Sequence, residues 1–328
     1  MKKSYNWGIL GPGKIAHRFS EGLKLLDNAV LYAVGSRNIK RAQQFSDLHG
    51  FKKYYGSYKE LTDDPDVDIV YVASPHSHHM EHTILCLEAG KSVLCEKAFA
   101  LNSREVMKMI GLAKERGLFL MEALWPPFQP SYLKCRELLS GPDMGELISI
   151  RSFFAFKPPY EPENRIYNLK LGGGALLDIG IYPVIDALTF LGVPKSIQTL
   201  ATFDKTGADN NIDILFAYKD GRSASLFASL KSDTGVGCDL ICERGIISIR
   251  RLPDGSQMTS LHRLGEEPEI YRFNPPSRGF HLEAIEVMER LDRGETESRI
   301  VPLSFSIDLM NTLDKIRKKA GIVYPGRD

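Results

Sequence analysis

Val93-Leu94-Cys95 reads as the end of a short buried strand, and Glu96 and Lys97 stand at its C-terminal edge. In an open parallel α/β sheet that edge is where ligands bind. A lysine held there behind an apolar strand is partly desolvated, so its ammonium releases a proton more readily than in water. That suits a group that polarises an oxygen or handles a proton. The bland alternative is an ion pair between surface neighbours, which contributes little. A second pair of chemical groups lies further on. Gly172-Gly173-Gly174 opens an expected helix that carries Ala175 to Leu191, and Asp178 and Tyr182, four residues apart, share one of its faces. His76, His78, His79 and His82 form a third cluster. His78 and His82 could share a helix face, but no carboxylate-rich or cysteine set accompanies them and no HExxH occurs. Hydrogen bonding or protonation is the better account of these histidines, and no metal is expected.

The elements that must place Lys97 alternate strand and helix. Trp7 to Leu10 is a short apolar strand running into Gly11-Pro12-Gly13-Lys14-Ile15-Ala16. Gly11, Gly13 and Ala16 make the GxGxxA version of the dinucleotide fingerprint. Gly11 allows the tight turn, Gly13 lets backbone approach a pyrophosphate, and Ala16 lets the helix pack close to the strand. The helix that follows, to Leu26, aims its first N–H groups, around Lys14 and Ile15, at the phosphates. A second strand, Val30 to Gly35, ends in Ser36-Arg37 where an NAD-selective site usually has a carboxylate. An arginine beside a hydroxyl suits a 2′-phosphate, so NADP is favoured and NAD remains possible. Helix 40–49, a short strand near Tyr54 and a helix 58–62 come next. The strand Asp68 to Ala73 ends in Ser74-Pro75-His76-Ser77-His78-His79. A helix to Ala89, the strand from Lys91 to Cys95, a helix from Ser103 to Arg116 and the strand Leu118 to Met121 complete the alternation. This pattern predicts a doubly wound parallel sheet over residues 1–123.

Trp125-Pro126-Pro127-Phe128 breaks the pattern, because two prolines cannot continue a helix or a central strand. After a helix from Pro130 to Ser140 the chain turns strand-rich. Runs at 147–157, 196–203, 212–218, 224–230, 238–242 and 246–250 are separated by turns such as Asp220-Gly221 and Asp254-Gly255. Short turns imply mainly antiparallel pairing. Two helices, 279–293 and 305–320, close the chain. Residues 124–328 are thus expected to form an α+β domain with a large open-faced sheet. Too few helices follow to cover both faces of that sheet. An uncovered apolar face then predicts a homodimer or a dimer of dimers.

Bulk properties exclude several function classes. The chain has 328 residues, 43% apolar and 25% charged, with a net charge of +1. No long-range field argues for nucleic acid or an anionic membrane. The N-terminus moves straight into a strand and lacks a signal-peptide apolar region. Cys86, Cys95, Cys135, Cys238 and Cys242 are an odd, scattered set without a CxxC pair, which fits buried thiols in a reducing cytosol.

Together these residues resemble the glucose–fructose oxidoreductase, inositol dehydrogenase and MocA family (Gfo/Idh/MocA), nearest to its dihydrodiol dehydrogenase branch, over essentially the whole chain. The resemblance rests on Gly11–Ala16, Ser74–His79, Ala89–Ala100, Phe119–Trp125 and Gly172–Pro183. It implies a Rossmann domain, a C-terminal domain with a large sheet, and NAD(P)-linked oxidation of a carbinol or reduction of a carbonyl. It places the family's catalytic lysine at Lys97 and the aspartate of its glycine-rich helix motif at Asp178. Tyr182 stands where that motif usually has histidine, as in the dihydrodiol branch. Ser74, Pro75, His76, His79, Glu96 and Trp125 fall on positions that line the cofactor. Ser74 and His76 depart from the family's threonine and asparagine, and Ala98 from its proline. The implied substrates are sugars, cyclic polyols or trans-dihydrodiols.

Hydride transfer is the cofactor's chemistry, and the protein must place the carbinol carbon and manage one proton. Tyr182 is the candidate for that proton, since a nearby ammonium eases release from a phenol. Asp178 would orient Lys97 or a substrate hydroxyl, and Trp125 would line the nicotinamide or substrate pocket. A rival of another class is an NADP-binding sensor without chemistry, which the fold alone admits. The set Lys97, Asp178 and Tyr182, which a sensor does not need, argues against it. A metal-dependent hydrolase built on the histidines ranks last.

Overall fold

In the computed structural model, which describes residues 3–327, short apolar strands of the first half pair into one parallel sheet. The strands are β1 (Tyr5–Leu10), β2 (Ala29–Gly35), β3 (Lys53–Tyr55), β4 (Ile69–Val72), β5 (Ser92–Glu96) and β6 (Leu120–Ala123), in the order β3-β2-β1-β4-β5-β6. Every residue of β4, β5 and β6 is buried, as expected of a parallel sheet covered on both faces. The strand order reverses direction between β1 and β4, which opens the ligand crevice of such sheets. The helices are α1 (Lys14–Leu23), α2 (Ile39–His49), α3 (Tyr58–Asp63), α4 (His79–Glu88) and α5 (Ser103–Arg116). Local chemistry sets their bounds: Asn38, Ser57 and Asn102 cap α2, α3 and α5, and left-handed Gly50 and Gly117 end α2 and α5.

Contacts divide the chain into two units, Met1–Phe128 with Gly279–Ile307, and Gln129–Arg278 with Asp308–Asp328. The units are therefore not two consecutive pieces split near residue 123. Helix α8 (Phe280–Asp292) returns to the parallel sheet and crosses α1 at Gly22, where a Cβ would lie 2.9 Å from the backbone nitrogen of His281. No local pattern announces that return, because α8 reads as an ordinary amphipathic helix.

The second unit holds an eight-stranded sheet. Its strands are β7 (Leu147–Ala155), β8 (Ser196–Phe203), β9 (Asp209–Ala217), β10 (Ser223–Ser229), β11 (Gly235–Cys242), β12 (Gly245–Arg251), β13 (Gln257–Arg263) and β14 (Glu269–Phe273). Their order is β14-β13-β12-β11-β7-β10-β9-β8, antiparallel throughout except for β7 with β10. Helix α6 (Pro130–Ser140) packs on β12 and β13, and α7 (Ile181–Leu191) on β7 and β10. The last helix of the chain is α9 (Leu303–Ala320). Strands β13 and β14 escape a reading by apolar runs. The first mixes Gln, Thr, Ser, His and Arg with its two apolar residues, and the second is an edge strand carrying Glu and Arg, a common guard against further pairing.

Two local expectations change. The helix after the three glycines is not one α-helix. Leu176–Gly180 is a π-helical turn, and α7 begins only at Ile181. Gly180 lies against the sheet there, its missing Cβ replaced by contact distance to Ala228. On β10, Ala224, Leu226 and Ala228 are buried, whereas Ser223 and Ser225 point the other way with Phe227. The open face is thus more polar than expected. Leu200, Leu215, Ile246 and Ile270 are exposed on it, interspersed with charged residues such as the Arg250–Asp239 pair at 2.7 Å. Among the described residues one helical stretch, Leu169–Leu191, is long and apolar enough to cross a membrane, and 83% of its apolar 18-residue window is buried.

Candidate active site

The crevice of the first unit is built where β1, β2 and β4 end. Gly11 has φ +92°, and a Cβ on it would meet the carbonyl oxygen of Ala73 at 3.3 Å, so the turn needs glycine for conformation and for closeness. Gly13 precedes α1 in extended conformation without a side-chain cap, and no acidic residue occupies the helix's first turn. The N–H groups of Lys14, Ile15 and Ala16 there suit an anion. Ala16 is fully buried, which is the close helix–strand contact the fingerprint demands. At the end of β2, the backbone of Ser36 is held by Tyr55 and its Oγ accepts the N–H of Asn38 at 3.2 Å. Arg37 is exposed beside it. Arg41, on the first turn of α2, donates to the carbonyl of Pro12 at 3.2 Å and so ties α2 to the glycine turn. Two guanidiniums thus flank this strand end, four residues apart. This donor set fits a dinucleotide with a phosphate on its ribose, and no carboxylate stands in the way.

The histidines hold backbone. His79 is fully buried, and its ring nitrogens lie 2.7 Å from the carbonyls of Ser74 and Ala98. Carbonyls only accept, so a protonated ring nitrogen is what meets a carbonyl here. It links the turn after β4 to the residue after Lys97. The ring is thus placed to hold the backbone on both sides of this sheet edge. His76 is buried with its ring edge against His79. His82 Nδ1 lies 2.9 Å from Ser74 Oγ, and burial, then the neighbouring His78, pushes its imidazole down to about 4. Among the described residues no group of three or more His, Cys, Asp or Glu is arranged to hold a metal.

Lys97 follows β5 directly and is half-buried. Its N–H donates to Glu96 Oε2 at 3.2 Å, and its peptide bond to Ala98 is cis. Glu96 faces inward rather than toward a cofactor. Its other oxygen accepts the phenol of Tyr71, whose own proton burial and Glu96 hold far above the usual range. Glu122 on β6 accepts the N–H of Phe99 at 2.9 Å, and burial pushes its carboxyl up to about 7. Glu283 on α8 is 1% exposed, and burial, then the neighbouring Glu96, holds its carboxyl well above the usual range. Lys97 therefore stands before a floor of carboxyl groups, two of them raised by burial. Trp125, after β6, is half-buried with its ring 6.2 Å from Phe280.

In the second unit the three glycines hold a loop against the π-turn. A Cβ on Gly173 would lie 2.6 Å from the carbonyl of Arg165, and one on Gly174 2.0 Å from Asp209 Oδ1. Asp209 Oδ2 accepts the N–H of Leu176 at 2.6 Å. This packing brings Arg165 to Asp178, with Nη1 donating to Oδ1 at 2.8 Å. Asp178 is 4% exposed, so its partner within the unit is a guanidinium that the sequence reading missed. Tyr182, one turn later, is half-buried, 5.3 Å from the Phe154 ring, with the Arg251 guanidinium 5.0 Å over its own.

Residues 5–124 match the model of the GFO/IDH/MocA oxidoreductase family with its NAD-binding Rossmann fold, and 132–248 match the family's C-terminal domain. The chain belongs to this family. Over 97% of its length it is 34% identical to the trans-1,2-dihydrobenzene-1,2-diol dehydrogenase of Mus musculus and 33% to that of Homo sapiens, covering 98% of each. A 3-ketoreductase of Actinomadura kijaniata, solved with NADP and TDP-benzene, superposes with a TM-score of 0.88 at 26% identity, over 97% of this chain and 98% of that one. The aldose-aldose oxidoreductase of Caulobacter crescentus shares the fold, with a TM-score of 0.86 at 22% identity and the same coverage. As a Gfo/Idh/MocA member the chain is an oxidoreductase with a nicotinamide-dinucleotide fold. Arg41, Arg165 and Arg251 are the site arginines that motif reading passed over. Arg41 had a signal in its spacing from Arg37. The other two are placed by chain folding across distant strands and loops.

Proposed function

We propose that this chain is an NADP(H)-dependent dehydrogenase of trans-dihydrodiols, cyclic polyols or sugars, working in the cytosol as a homodimer. The observation that carries the reading is Lys97, half-buried at the carboxyl edge of β5, in a sheet whose glycine turn lies between β1 and α1. The substrate class is supported by the names of the full-length relatives, which are diol dehydrogenases. Five unpaired buried cysteines support a reducing compartment.

When bound, NADP supplies the hydride acceptor or donor. The N–H groups at the start of α1 hold its pyrophosphate, and Arg37 with Arg41 holds the 2′-phosphate. Lys97 polarises the substrate oxygen, Tyr182 carries the proton, and the Asp178–Arg165 pair orients a second hydroxyl.

The test is turnover of NADP+ with trans-dihydrodiols, cyclic polyols and aldoses. NADP+ is expected to outcompete NAD+, and Arg37→Ala to raise the KM for NADP+ about tenfold to a hundredfold, the worth of a charged hydrogen bond. NADH bound as tightly as NADPH by the wild type would end the assignment of Arg37 and Arg41. No turnover on any of these substrates, with cofactor bound, would favour the sensor. The uncovered face of the eight-stranded sheet, with Leu200, Leu215, Phe227 and Ile270 among paired charges, supports pairing of two chains. Light scattering at micromolar concentration is expected to give the mass of a dimer, and a strictly monomeric mass would exclude it.

A further inference from the structure

Three polar residues of the second unit follow one another at steps of four, Asp178, Tyr182 and Asp186. The first is paired with Arg165 and the second is the proposed proton carrier, while nothing so far uses the third. Asp186 is 5% exposed. Its oxygens accept the phenol of Tyr132 and, at 2.5 Å, the hydroxyl of Ser152. Burial raises its carboxyl, and Arg251 is the first-ranked influence pulling it back.

Arg251 comes to this place by sheet register. Phe154, Val236 and Arg251 are aligned across β7, β11 and β12, and Ser152, Cys238 and Ile249 form the next row on the same face. Tyr182 lies over the first row, against Phe154 at one end and under the Arg251 guanidinium at the other. Asp186 lies over the second, at Ser152. Arg251 thus acts on both, as a cation over an aromatic face and as a positive charge felt by a buried carboxyl.

We infer that Arg251, set against Asp186, is a positioning residue for Tyr182: it fixes the phenol ring on the sheet and favours negative charge building on its oxygen during proton transfer. This rests on the reading of Tyr182 as proton carrier. A cation over a ring is stronger where the ring is withdrawn from water, and the Tyr182 ring is half-buried against Phe154 of the sheet.

The experiment is a mutant cycle on whichever diol or sugar the wild type turns over. Arg251→Gln is expected to lower kcat about tenfold, with the KM for NADP+ unchanged, and to cost nothing further in a Tyr182→Phe background. An equal loss in both backgrounds, or a loss confined to the KM of the substrate, would overturn the inference and leave the role of Tyr182 standing. Full activity of Tyr182→Phe would overturn both. Arg251→Gln with Asp186→Asn keeps the pair neutral, and the same cycle is read there if the single change unfolds the chain. A readout free of turnover uses 13C-tyrosine NMR. The resonance identified by its loss in Tyr182→Phe is expected to shift and broaden in Arg251→Gln, and an unchanged line overturns the inference.

Discussion

Lys97→Met is expected to remove most turnover, about a hundredfold to a thousandfold, while NADP+ binding stays nearly intact. The geometry of the first unit separates the two effects. The phosphate-binding elements are the glycine turn, the start of α1 and the end of β2, whereas Lys97 ends β5, two strands away from β1. Its charge matters when the substrate oxygen becomes alkoxide-like, so the loss falls on the transition state rather than on binding. Methionine preserves much of the apolar stem that packs at this half-buried place. Glu122, already raised by burial to about 7 and held down in part by Lys97, takes up a proton more readily once that cation is gone. Thermal unfolding of the variant should therefore stay close to wild type. Steady-state kinetics with fluorescence titration of NADPH checks both halves. Full activity of Lys97→Met on a verified substrate would sink the mechanism.

Tyr182→Phe should cost a comparable factor, since a positioned acid or base contributes about a hundredfold to ten-thousandfold. The change removes one oxygen and leaves the ring against Phe154 and Arg251, so packing is preserved. The pH dependence of kcat should flatten, because the group that titrates in the reaction is gone. A pH profile unchanged in shape would move the proton to another group and leave Lys97 untouched.

Much of this protein was legible residue by residue. The glycine spacing at Gly11, Gly13 and Ala16, the β-branched strand Ile69–Val72 and the strand–helix alternation act over a few residues, so the parallel sheet follows from local rules. The apolar strand before Glu96-Lys97 likewise marked a lysine at a sheet edge. The motif at Gly172–Pro183 marked Asp178 and Tyr182, though it suggested a continuous α-helix where Leu176–Gly180 is a π-turn. That difference lies beyond local rules, because the turn packs on three strands of the sheet, β7, β9 and β10, that are distant in sequence.

What the tertiary structure alone decided are the partners. Composition and periodicity told that a lysine, an aspartate and a tyrosine were present, and the local pattern told which strand or helix carried each. Neither told that Arg165 would reach Asp178, since that depends on how closely residues 165–168 approach two glycines. Neither told that Arg251 would cover Tyr182, since that depends on the register of three strands separated by long stretches of chain. Neither told that His79 would bridge the carbonyls of Ser74 and Ala98, since that depends on where Ala98 comes to lie. The physical reason is common to all of these. Backbone propensity and hydrophobic period act within a few residues along the chain. The polar contacts that tune a site are made across it, by side chains that only the packed sheet brings within hydrogen-bonding distance.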